Sequence, residues 1–432
     1  MRMVTSQKFR EEILDRVVNR GKTDLSSISL AIRKIIMGVR KNGDEALLRY
    51  TEKFDNVRLT RSKLKVAKRE IKEANKKLER RHINALKKAA MNITHFHKKQ
   101  TKDMWSLETA KGVTVGQVTR PLSSVGVYAP GGKASYPSSV LMCAIPAQVA
   151  GVKKIVVCSP PGESGNVDPA LLVAADIAGV TEIYRVGGAQ AIAAMAYGTE
   201  TVPKVDKIVG PGNVFVTAAK LEVSKDVAID VPAGPSEVLI ITDETANASF
   251  TASDLLAQAE HDPQAWAILL TTSKDTALAV KEEVYKQMGS LSRIETVKAS
   301  IQRGGLIVIV KNMEEAVDYA NLIAPEHLQI QTKTPRKVFS KIQNAGAAFL
   351  GNYSPVAFGD YSAGLNHVLP TGGYAKVYSG LSTRDFVKTI NFMQCSRQGY
   401  LNLKRTTVTL AKLEGFDGHA RSVSIRGEEN EN

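Results

Sequence analysis

The sequence predicts an α/β fold built on parallel sheets with helices on both faces. Three observations carry this. From about Val113 onward, apolar β-branched runs alternate with Ala-rich helical patterns. Glycine separates strand from helix at three junctions: Gly131-Gly132, Gly187-Gly188 and Gly210-Pro211-Gly212. The alternation then restarts at about Pro235 and runs to about Thr371, giving two α/β units in succession.

The chain opens on "MRMVTSQKFREEILDRVVNRG", whose period predicts an amphipathic helix with Phe9, Ile13, Val17 and Val18 on one face. It lacks the apolar core of a signal peptide, and no run approaches the roughly 20 apolar residues of a membrane-spanning helix. A cytoplasmic protein without a membrane partner is therefore expected. Residues 51–110 hold 17 Lys/Arg against 7 Asp/Glu, so +10 of the net +15 lies there. The stretch has helical spacing, with Ile71, Ala74, Leu78, Ile83 and Leu86 as its apolar stripe. Long helices with a solvated basic face explain that charge better than nucleic-acid binding, which a salt-dependent duplex-binding assay would detect.

In the first unit, "SSVGVYAPGG", "KKIVVCSPPG", "EIYRVGG" and "DKIVGPG" read as strands ending in turns, each followed by a helix. In the second, "SEVLIITDE", "AWAILLTTS", "GGLIVIVKN" and "HLQIQT" are the strands, with helical patterns between them and over "PRKVFSKIQNAG". "STRDFVKTINFMQCS" and "RTTVTLAKLEGFDGHARSVSIR" read as mainly helical, and the acidic "GEENEN" as disordered. Expected domains are 1–108 (helical, basic), 109–234 and 235–380 (the two α/β units) and 381–432 (a helical tail).

Cys143, Cys158 and Cys395 lie far apart in apolar surroundings without a CxxC, which argues against disulfides and thiolate metal sites. Any metal would take nitrogen and oxygen ligands. Loops at the carboxyl ends of strands in an open α/β sheet suit nucleotides, and Tyr128, Gln190 and Asn213 at the glycine turns are candidate ligand contacts. The competing reading of these three is a capping or turn role. His82, His95 and His97 are assigned to solvent; His261, His327, His367 and His419 stand in less ordinary contexts. Gln258 and His261, three apart on a helix, can face one point, and Asp360 and His419 could complete a nitrogen and oxygen zinc set. In "APEHLQI", Glu326 and His327 are either a solvated helix start or a base beside an acid.

The stretches "VGVYAPGGKASYPSSVLM", "VGGAQAIAAMAYGTETVPKVDKIVGPGN", "DVPAGPSEVLIITDE", "LLAQAEHDP", "APEHLQI" and "GDYSAGLNHVLPT" together resemble the histidinol dehydrogenase family, from about Thr101 to His419. The resemblance implies two incomplete Rossmann-like doubly wound domains with smaller helical N- and C-terminal segments. It implies a zinc- and NAD-dependent enzyme, with one zinc per subunit. The implied reaction is the oxidation of L-histidinol through L-histidinal to L-histidine, the last step of histidine biosynthesis. Carried over residue by residue, the metal ligands fall on Gln258, His261, Asp360 and His419, and the catalytic pair on Glu326 and His327. Substrate contacts fall on Ser236, His367 and Glu414 besides the metal ligands and His327, and cofactor contacts on Tyr128, Gln190 and Asn213. His327 would be the acid/base group, and Glu326 would activate water for the aldehyde step. A homodimer with shared active sites is implied, in which the C-terminal segment reaches the partner's site; whether His419 and Glu414 act in their own chain or from the partner stays open. The nearest alternative is a relative that oxidises another small primary alcohol; Ser236, His367 and Glu414 argue against it. A zinc hydrolase using Glu326 would leave the glycine-turn unit unexplained.

Overall fold

The computed structural model describes residues 1–21, 26–101, 104–131, 135–231 and 234–427. Gly132 and residues 428–432 of the acidic end lie outside that set. The chain divides into two compact units: Met1–Gln100 with Leu122–Phe386, and Thr101–Pro121 with Val387–Asn432.

The larger unit holds two parallel sheets. In the first, the strands Ser124–Tyr128, Lys154–Ser159, Glu182–Arg185, Lys207–Val209 and Ala228–Ile229 are all parallel. Their spatial order is 3-2-1-4-5 by position in the chain. The second sheet repeats that order with Glu237–Thr242, Trp266–Thr271, Gly305–Ile309, His327–Gln331 and Ala347–Leu350. This is the doubly wound order without its sixth strand, and in both sheets it reverses between the first and fourth strands.

Both faces of each sheet are buried, as β-branched runs without polar alternation require. In the second sheet Leu239, Ile241, Ile268 and Leu270 pack on one side with Phe9, Ile13 and Val17. Val238, Ile240, Ala267 and Leu269 pack on the other with Leu255, Leu256 and Val280. The opening segment departs from a single helix. Arg2–Thr5 is a strand that pairs parallel with Gly305–Ile309. Two short helices, Ser6–Glu12 and Leu14–Val18, then bring the expected apolar face onto the sheet.

The basic region is structural along its apolar stripe. Ala74, Ala89, Ala90 and Ile93 enter the core on one face of the first sheet, with Ile71, Leu78, Ile83 and Leu86 packed against them. Val66 donates its amide to the Ile183 carbonyl at 2.9 Å, covering the edge strand. His97 is not solvated: it is fully buried, with its Nδ1 2.7 Å from Gln100 Oε1. His82 and His95 are exposed.

The smaller unit corrects the reading of the C-terminal stretch as mainly helical. Val387–Cys395 is a strand, paired antiparallel with Val113–Pro121, which also pairs with Trp105–Ala110. Cys395 is exposed on that sheet, whereas Cys143 and Cys158 are buried as expected. Helices Arg397–Leu413 and Asp417–Ser424 follow.

Candidate active site

A cleft in the larger unit lies between the carboxyl ends of the first sheet and the amino ends of the second. The first sheet contributes Gly210, Pro211, Gly212 and Asn213; the second contributes Ser236, Glu326 and His327; His261, Asp360 and His367 complete the wall. The polarity follows from topology. Glu326 and His327 stand at the start of the strand His327–Gln331, and Ser236 immediately precedes the strand Glu237–Thr242. Helix Ala248–Ala259 runs back from the far end of that strand, so Gln258 and His261 arrive at the same edge.

Glu326 and His327 are both buried, and neither belongs to a helix start. A left-handed residue, Ala324 at φ 49°, ends the preceding helix and turns the chain into the strand. Glu326 Oε2 accepts from Ser236 Oγ at 2.7 Å and from the Glu237 amide at 2.8 Å. His327 Nδ1 donates to the Glu237 carbonyl at 3.0 Å, which leaves Nε2 buried, 3.5 Å from Asp360 Oδ1 and without a hydrogen bond. Adjacent residues of a strand point to opposite sides, yet Glu326 Oε2 lies 3.5 Å from His327 Nδ1 because Glu326 sits just before the pleat begins.

Burial pushes the Glu326 carboxyl up to about 7, against the pull of His327 and the Ser236 hydroxyl. His327 is raised to about 9: burial opposes its charge but is outweighed by the carboxylates of Glu326 and then Asp360. Burial also works to raise Asp360, and the imidazoles of His327, His367 and His261 overcome it and hold that carboxyl low. His261 and His367 go the other way: crowding by surrounding atoms disfavours their charged forms and lowers both, even though His261 keeps an exposed edge in the cleft. His367 is fixed at both nitrogens, with Nδ1 donating to the Asp360 carbonyl at 2.9 Å and Nε2 3.2 Å from Ser139 Oγ.

Neutral His261, charged Asp360 and the buried Gln258 amide, whose nitrogen has no partner, are an oxygen and nitrogen donor set of the kind zinc accepts. Among the described residues no three His, Cys, Asp or Glu side chains gather tightly enough to hold a metal by themselves. His419 and Glu414 lie in the smaller unit and are exposed.

The three candidate cofactor residues differ. Asn213 is exposed in the cleft and also caps helix Val214–Val223, its Oδ1 accepting from Phe215 and Val216 amides at 3.1 Å. Tyr128 and Gln190 are buried around the second glycine turn. The Tyr128 hydroxyl accepts from the Gly188 amide at 3.1 Å, and the Gln190 amide nitrogen has no partner. Gly210 has φ 118°, and a Cβ there would fall 2.1 Å from the Tyr128 carbonyl oxygen. The buried Lys220–Asp230 pair grips this turn: Asp230 accepts from the Gly210 amide at 2.7 Å, and Lys220 donates to its carbonyl at 3.0 Å. Nothing in the sequence flagged Asp230, Lys220, Glu237 or Ser139, because each acts through a contact distant in the chain.

A family model described as histidinol dehydrogenase matches residues 18–427. The chain belongs to the histidinol dehydrogenase family. It is 51% identical over 419 residues to histidinol dehydrogenase of Methanothermobacter thermautotrophicus, covering 97% of this chain and 98% of the relative. Histidinol dehydrogenase of Bacillus cereus is 48% identical over 425 residues, with 98% of each covered. The crystal structure of histidinol dehydrogenase from Elizabethkingia anophelis matches with a TM-score of 0.94 at 39% identity, covering 100% of this chain and 99% of that one. Membership of the histidinol dehydrogenase family makes the chain an oxidoreductase of histidine biosynthesis. No helix among the described residues is long and apolar enough to cross a membrane.

Proposed function

We propose that the protein catalyses the four-electron oxidation of L-histidinol to L-histidine through L-histidinal, the last step of histidine biosynthesis. The observation that carries this is the pairing of Glu326 and His327 at the rim of a cleft whose opposite rim is a glycine turn of a doubly wound sheet. NAD supplies the hydride acceptor for both oxidations, with Asn213, Gln190 and Tyr128 as its contacts on the first sheet. Zinc, held by Gln258, His261, Asp360 and His419, supplies coordination positions that orient the substrate's nitrogens.

His327 Nε2, left open by the bond Nδ1 makes to the Glu237 carbonyl, takes the hydroxyl proton in the alcohol step. Because Glu326 and then Asp360 favour the protonated imidazole, His327 acts as base once that proton is lost, so the alcohol step should quicken as pH climbs toward about 9. Aldehyde oxidation needs a hydrated carbonyl. Glu326, with its raised pKa, removes a proton from the attacking water. Ser236 and His367 line the cleft beside this pair and contact the substrate.

We also propose a homodimer in the cytoplasm, with His419 and Glu414 supplied to the partner's site. Leu413 is 80% and Phe416 53% exposed beside them, an apolar patch suited to being covered by a second copy. The test is NADH yield: histidinol should give two NADH per molecule, and other amino alcohols or sulfonated alcohols should give little. Equal turnover of another small primary alcohol would overturn the substrate assignment.

A further inference from the structure

We infer that Arg20 and Glu237, whose side chains form a buried ion pair given no role above, are positioning residues for the aldehyde half of the reaction. The inference rests on the catalytic reading of Glu326.

Arg20 and Glu237 are 2% and 3% exposed at their side chains and form a two-pronged pair. Arg20 Nε and Nη2 reach the two Glu237 carboxylate oxygens at 2.5 Å each. Such a fork fixes an orientation as well as a distance. Arg20 itself is anchored by donating to the carbonyls of Val17 at 2.7 Å and Ile323 at 2.9 Å. The adjoining Gly21 backbone packs so closely on Gly372 that a Cβ on Gly21 would lie 2.3 Å from the Gly372 carbonyl oxygen.

Glu237 then touches the catalytic pair through three different groups. Its carboxylate accepts the Glu326 amide at 3.1 Å, and the Gly372 amide also at 3.1 Å. Its own amide donates to Glu326 Oε2 at 2.8 Å, and its carbonyl accepts from His327 Nδ1 at 3.0 Å. One residue therefore sets the main chain of Glu326, the carboxylate of Glu326 and the tautomer of His327. Of the catalytic pair, the Glu237 side chain touches only Glu326, so loosening the Arg20 fork displaces Glu326 first and leaves His327 held by the backbone. A carboxylate that must meet a water and an aldehyde carbon in one geometry is sensitive to such displacement. A buried Arg–Glu pair is weak evidence for a stabilising role by itself, because desolvation offsets most of its attraction.

The experiment uses zinc-loaded full-length enzyme and separates the half-reactions: NAD-dependent oxidation of histidinal, and NADH-dependent reduction of histidinal. Arg20→Lys keeps the charge but removes the fork. It should lower kcat for histidinal oxidation by about tenfold to a hundredfold, with KM within about twofold and histidinal reduction far less affected. Adding Arg20→Lys to Glu326→Gln should cost nothing further, since both act through one carboxylate. If Arg20→Lys does not fold, the neutral double replacement Arg20→Gln/Glu237→Gln leaves no unpaired charge and should show the same selective loss. Equal losses in both half-reactions, additive losses with Glu326→Gln, or a lowered melting temperature with unchanged kcat would each overturn the inference. Glu326→Gln alone is the control for the underlying reading. If it oxidises histidinal at the wild-type rate, that reading fails; if it is defective while Arg20→Lys is not, only the positioning role falls.

Discussion

Glu326 accepts two hydrogen bonds and still has a raised pKa, so desolvation wins over bonding at this position. The sign sets two pH dependences. As a base for water Glu326 must be ionised, so histidinal oxidation should rise with pH through about 7, and Glu326→Gln should remove that limb from the pH–rate profile. Stability runs the opposite way. A carboxyl raised in the folded chain favours folding fully below the ordinary carboxylate value and loses that contribution as pH climbs through about 7. Denaturant titrations from pH 4 to 8 should therefore show a flatter curve for Glu326→Gln. His261→Ala should lose metal and activity together, and a variant that retains stoichiometric zinc by atomic absorption would remove His261 from the ligand set. These residues were visible in the sequence as types in odd places. Their joint position was not, because Ser236, His261, Glu326 and Asp360 meet only after the second sheet has folded.

At the scale of elements, the periodicities that predict parallel sheets are the ones that bury both faces, and every strand expected in the two α/β units forms. Six strands were not legible, for physical reasons. Arg2–Thr5 and Ala228–Ile229 are too short to show alternation, Ala347–Leu350 is a brief edge strand beside glycine, and Trp105–Ala110 and Val113–Pro121 lack a clear apolar face. Val387–Cys395 has polar residues on both sides because most of it is exposed, so no apolar period marks it as a strand. The glycine turns were legible, but what holds them was not. Gly210→Ala meets a backbone oxygen at a φ few side chains adopt, and should cost on the order of 2 kcal/mol. It should raise KM for NAD more than KM for histidinol, since the turn it distorts carries Asn213; thermal melts and steady-state kinetics check both.

At the scale of the molecule, the two sheets share one strand order but present opposite ends to the cleft. The free carboxyl edge of the second sheet is bridged at its order reversal, where Asp243 Oδ2 accepts from the Lys333 amide at 2.8 Å. A shared-site dimer makes a sharp prediction. Neither Glu326→Gln nor His419→Ala should support histidinal oxidation by itself. Mixed by unfolding and refolding together, they should recover about a quarter of wild-type activity, because half the dimers are hybrids with one intact site. No recovery would place His419 in the site of its own chain.

The smaller unit is discontinuous, and that has a temporal consequence. Val113–Pro121 is synthesised early, yet the strand it pairs with, Val387–Cys395, begins 266 residues after Pro121. At ordinary translation rates the early strand waits on the order of tens of seconds for its partner. Throughout that interval an unpaired edge leaves the ribosome beside exposed Trp105 and Leu107. The nascent chain is thus most prone to misassociation between the birth of the first strand and the last tenth of synthesis. Chaperone dependence should concentrate there, before His419 has been made.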